Sequence, residues 1–94
     1  NSKVVDLVKE LEKLDFKVDV YDPLANASET KEVYGISLLD GLTGTYGAIV
    51  GAVPHSEFQD IDPVGLLRSD GLLADFKGIW RGIRLPDKVR YWSL

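Results

Sequence analysis

Ninety-four residues, 45% of them hydrophobic and carrying a net charge of −4, suit one globular domain or part of one rather than a disordered chain. With no cysteine, disulfides, thiolate metal sites and a cysteine nucleophile are excluded within this chain. No run approaches the ~18 apolar residues of a membrane helix, the N-terminus has no signal-peptide core, and no Met is present, so the sequence reads as a piece of a longer protein without a membrane partner.

In chain order, Val4, Leu7, Val8, Leu11 and Leu14 recur at three- and four-residue steps and predict an amphipathic helix over Ser2–Leu14, capped by Asn1 or Ser2. Its charged face, Asp6, Lys9, Glu10, Glu12 and Lys13, is spaced for i,i+3 pairs. Lys17–Tyr21 alternates like a partly exposed strand, and Pro23 stops it. Asn26 with Glu29 three positions on predicts a helix N-terminus, and Gly35 its left-handed end. Ile36–Thr45, rich in turn signals, reads as a short edge segment plus loop.

The uninterrupted "GAIVGAV" at 47–53 predicts a strand buried on both faces, its two glycines marking close approach of a helix or ligand. Asp60 or Asp62 before Pro63 opens a further helix, "PVGLLRS", that Gly71 can terminate. "LLADF" at 72–76 and "VRYWSL" at 89–94 complete the strands. Alternating helices and strands predict an α/β, three-layer, Rossmann-like domain with a mainly parallel sheet. Because a crossover helix follows the strand it packs on, a first strand is expected upstream of Asn1.

Charge is uneven. Residues 1–62 hold five Lys/Arg against twelve Asp/Glu, and residues 63–94 hold six against three, for nets of −7 and +3. A short basic third suits a local anion such as a diphosphate better than nucleic acid, which needs a broader basic face; a solvated surface is the other reading. No G-x-G-x-x-G occurs, so Asp22, at the tip of the predicted 17–21 strand, is expected to be a turn residue rather than a ribose ligand. His55, the lone histidine, follows the 47–53 strand at the edge where open α/β sheets bind ligands, although a lone histidine in a loop more often caps or packs. Lys77, Arg81 and Arg84 leave the end of the 72–76 strand and suit a phosphate, with a solvated face as the alternative for the two arginines. Trp80, Tyr91 and Trp92 are expected to pack. Metal-site spacing is absent.

The ordered set "NSKVVDLVKEL", "VDVYDPLA", "YGISLL", "AIVGAVPHSEF", "LLADFKGIW" and "VRYWSL" resembles the C-terminal UDP-binding domain of the UDP-glucose/GDP-mannose dehydrogenase family over the whole chain. The "KGIW" and "RYW-L" ending is most similar to the branch acting on UDP-N-acetylglucosamine or UDP-N-acetylgalactosamine. The resemblance implies a UDP-sugar partner and a cytoplasmic, homo-oligomeric parent enzyme. That parent would oxidise the sugar C6 alcohol to a carboxylate for surface polysaccharide, with NAD and the catalytic residues held outside this chain. It also implies substrate-binding places for Ser2, at the first helix N-terminus, and for Lys77, at a strand end. A stand-alone α/β interaction or regulatory module is the alternative.

Overall fold

The computed structural model describes residues 2–54 and 56–94, and the chain divides into two compact units, Asn1–Leu42 and Thr43–Leu94. Asn1, His55 and the side chain of Ser2 lie outside the described set, and with them the expected cap and the histidine's role.

In the first unit, α1 (Ser2–Lys13) follows the predicted stripe: Val8 is buried and Val4, Leu7 and Leu11 are half-buried. Leu14 was expected on that stripe but is exposed, because the helix stops one residue earlier. Asp15 there takes the left-handed conformation (φ 67°), and the Phe16 N–H closes back on the Leu11 carbonyl at 3.2 Å. On the charged face Lys13 pairs with Glu10 at 3.2 Å; both side chains are so exposed that the pair adds little stability. The predicted 17–21 strand is reduced to one parallel bridge, Val20 with Leu38, where the Leu39 N–H donates to the Val20 carbonyl at 2.8 Å. A strand forms only against a partner, and this segment has one at a single residue. Asp22 is the expected turn residue, its Oδ1 accepting from the Leu24 N–H at 3.0 Å. The helix α2 (Ala27–Tyr34) starts as read: Asn26 Oδ1 accepts from the Glu29 N–H at 2.9 Å, and Gly35 ends it at φ 71°.

The second unit holds a three-stranded, all-parallel sheet in the order β1-β2-β3, formed by β1 (Tyr46–Gly51), β2 (Leu67–Asp75) and β3 (Arg90–Ser93). A 3₁₀ turn (Ser56–Asp60) and a single-turn helix, α3 (Pro63–Leu66), connect β1 to β2. Asp62 rather than Asp60 caps α3, accepting from the Val64 N–H at 3.1 Å. The α/β class with a parallel sheet stands, and three strand-level expectations are corrected. "GAIVGAV" is not buried on both faces: β1 is an edge strand, with Ala48 and Val50 exposed and only Gly51 buried. "PVGLLRS" is not one helix, since Leu67 turns to extended geometry (φ −94°, ψ 148°) and pairs with Tyr46. From there the register jumps from Tyr46↔Leu67 to Ala48↔Leu72, so residues 68–71 bulge out before regular pairing resumes where "LLADF" predicted a strand. Leu73, in β2, has no solvent exposure, and Leu67, Phe58, Trp80 and Ala74 are buried with it.

Candidate functional site

Because all three strands run the same way, their carboxyl ends lie side by side: Gly51 pairs with Asp75, and Asp75 with Ser93. Open α/β sheets bind ligands at this edge, where the loops leaving the strands converge. The loop leaving β2 carries Lys77.

Asp75 organises that loop. It is fully buried at 0% exposure, and its carboxyl oxygens take three donors. Oδ1 accepts from the Ile79 N–H at 2.9 Å, and Oδ2 from the Trp80 N–H at 2.9 Å and the Tyr91 hydroxyl at 2.6 Å. The Phe76 N–H donates to the Gly51 carbonyl at 3.0 Å, and Gly78 supplies the left-handed residue (φ 70°) that closes the turn onto the Asp75 carbonyl. Trp80 then returns to the core, its indole N–H donating to the Phe58 carbonyl at 3.2 Å. The absence of a side chain on Gly51 admits the Trp80 ring, which would lie 2.7 Å from a Cβ at that position.

Arg81 and Lys77 behave differently. The Arg81 guanidinium donates to Ser93 Oγ at 2.7 Å and to the Leu94 carbonyl at 3.1 Å, so it ties the loop to the end of β3 while the residue stays exposed to solvent. Lys77 is exposed and has no ion-pair partner among the described residues. Of the expected aromatics, Trp80 and Tyr91 pack inward as described. Trp92 stays 44% exposed with its ring edge-on to Phe76 at 5.0 Å. Arg84, also exposed, lines a shallow, mainly apolar groove of about 470 Å³ with Gln59, Ile61, Trp80 and Leu85. Ser2 opens α1 in the first unit and is described apart from this edge.

The structure thus gathers Lys77, Trp80, Arg81 and Tyr91 around Asp75, a residue that sequence reasoning did not single out. The available signal was an acid closing the apolar run "LLA" at a strand's end, followed three residues later by glycine. Among the described residues no group of three or more His, Asp or Glu could hold a metal ion, and no helix is long and apolar enough to cross a membrane. Chemically, the described residues of this edge offer Lys77 as a cation without an ion pair on a braced turn, with no base and nucleophile in contact among them. It is equipped to bind an anion.

Comparison with known proteins points the same way. The family model for the UDP-glucose/GDP-mannose dehydrogenase family, UDP binding domain, matches residues 1–82. A UDP-N-acetyl-D-glucosamine 6-dehydrogenase of Pseudomonas aeruginosa is 42% identical over 62 residues, covering 65% of this chain and 15% of that protein. The Salmonella typhi enzyme of the same name is 36% identical over 81 residues, covering 82% of this chain and 19% of that protein. Protein CapL of Staphylococcus aureus is 30% identical over 97 residues, covering 100% of this chain and 23% of that protein. The chain therefore spans at most 23% of the length of these relatives. No solved structure gives a significant match.

Proposed function

Since this chain belongs to the UDP-glucose/GDP-mannose dehydrogenase family, matching its UDP binding domain over residues 1–82, we propose that it binds the UDP-sugar of an NAD-dependent nucleotide-sugar 6-dehydrogenase. The substrate is a UDP-N-acetylhexosamine whose C6 alcohol is oxidised to the uronate for surface polysaccharide, in a cytoplasmic, homo-oligomeric enzyme of which this is the C-terminal domain. The names of the Pseudomonas and Salmonella relatives support the N-acetylated sugar. The stand-alone module is disfavoured by the length of the family match.

The observation that carries the reading is Lys77: an exposed cation with no ion-pair partner among the described residues, on a braced turn at the carboxyl edge of a parallel sheet. Its ammonium is placed to neutralise diphosphate charge as a point donor rather than to move protons. Diphosphate charge changes little during oxidation at the sugar C6, so this contact stabilises bound substrate and transition state alike. Its loss therefore raises KM with kcat unchanged. Ser2 is the second proposed contact, at the N-terminus of α1, where backbone N–H groups favour an anion. The sequence has no glycine-rich dinucleotide turn, so the residues here do not fit NAD and none is assigned to it.

Calorimetric titration of the protein carrying this chain with UDP and with NAD⁺ tests the reading. Lys77→Ala is expected to raise the UDP Kd by about tenfold, the scale of one charge-assisted hydrogen bond, and to leave NAD⁺ binding unchanged. An unchanged UDP Kd removes Lys77 from the site.

A further inference from the structure

Asp75 is the one buried charged residue among those described, and it sits where a leucine would simply have extended the apolar run Leu72-Leu73-Ala74. A buried carboxyl group is tolerated only where donors surround it. Two of its three donors are the backbone N–H groups of Ile79 and Trp80, on the far side of the turn from Asp75 itself. Those bonds set the shape of the segment between them, and Lys77 lies inside that segment. The rest of the turn is held independently: Phe76 lies against Trp92, the Trp80 ring is buried, and Arg81 is bonded to Ser93 and Leu94. The Lys77 side chain is exposed and has no hydrogen bond or ion pair among the described residues.

We propose that Asp75 is a positioning residue for nucleotide binding, fixing the backbone of the Phe76–Trp80 turn so that Lys77 is presented to the diphosphate without further ordering of that backbone, with the Tyr91 hydroxyl locking the Asp75 carboxyl in place. This rests on the binding role assigned to Lys77 above. A turn already fixed in its bound shape does not lose backbone freedom on binding, so the benefit appears in ligand affinity as well as in fold stability. Asp75 acts through Lys77 and touches no ligand.

A double-mutant cycle separates this from a purely structural role. UDP Kd is measured by calorimetry on the protein carrying this chain, well below each variant's melting temperature, for wild type, Tyr91→Phe, Lys77→Ala and the combination; Asp75→Asn serves as a stronger variant if it folds. Tyr91→Phe is expected to raise the UDP Kd roughly threefold to tenfold in the wild-type background, to raise KM for the nucleotide sugar by the same factor with kcat unchanged, and to have no further effect once Lys77 is alanine. If Tyr91→Phe leaves the Kd unchanged, or weakens binding equally in both backgrounds, the positioning role of Asp75 is overturned while Lys77 keeps its place. If Lys77→Ala alone has no effect, the binding role of Lys77 fails, and the positioning role falls with it.

Discussion

Gly51 shows at the scale of one residue how sequence and structure can agree on a constraint and differ on its cause. The glycines of "GAIVGAV" predict that something approaches the strand closely, and what approaches Gly51 is the Trp80 ring from the loop after β2, with Cζ3 2.7 Å from where a Cβ would lie. A buried indole held by its own hydrogen bond to Phe58 has little room to retreat. Gly51→Ala is therefore expected to destabilise the protein by about 1–3 kcal/mol, the range for overpacking, read from urea unfolding midpoints. Gly41, with no atom within 4 Å of its Cβ position and no positive φ, is the control: its alanine variant should fall within about 0.5 kcal/mol of wild type. Asp75 was not legible in the same way. Its partners stand four, five and sixteen positions later, and the last is brought near only by the pairing of β2 with β3, which no local pattern encodes.

Helix ends were legible because capping is local. Asn26 and Gly35 bound α2 within ten residues of chain and the structure uses both as read, while Glu29 contributes its backbone N–H to the Asn26 cap. None of the residues of α2 is buried, so packing contributes little to it and its caps matter more. Asn26→Ala is expected to cost about 1 kcal/mol. At α1 the opposite change should help. Asp15 holds a left-handed conformation that glycine adopts without a Cβ penalty, so Asp15→Gly should stabilise by roughly 0.5–1 kcal/mol, and thermal melts of the two variants should move in opposite directions. A melting temperature for Asp15→Gly at or below wild type would show that the turn draws support from the aspartate itself. Strand boundaries were less legible, since a strand is defined by its neighbour. Residues 63–69 read as one helix because Val64, Leu66 and Leu67 allow it, but Leu67 leaves the helix to pair with Tyr46 and to bury its side chain. The strand from Leu72 was found because there apolar pattern and pairing coincide.

For the molecule as a whole, the sheet itself raises the remaining question. β1 and β3 are both edge strands, and on one face of the sheet Val50 and Leu72 are each 38% exposed and Trp92 44%. Parallel sheets in α/β proteins are ordinarily covered on both faces, and their open edges recruit further strands. Among the described residues no strand pairs with the outer side of β1, and the first unit holds the single Val20–Leu38 bridge; each, taken alone, leaves room for a further strand. Relatives about four and a half times as long, as matches of 62, 81 and 97 residues covering 15%, 19% and 23% of them imply, have chain enough to supply one. We expect a chain extended upstream by about 20 residues, enough for a strand and its turn, to be more stable than residues 1–94 alone. Covering even one valine-sized side chain on the flank of β1 contributes about 1.5 kcal/mol. In a domain of this size that raises the melting temperature by roughly 6–12 °C. Amide exchange should report the same event locally, with slower exchange in β1 and little change in β3. An unchanged melting temperature, with β1 exchanging as before, would mean that the β1 edge is complete as it stands and that the first helix needs no strand before it.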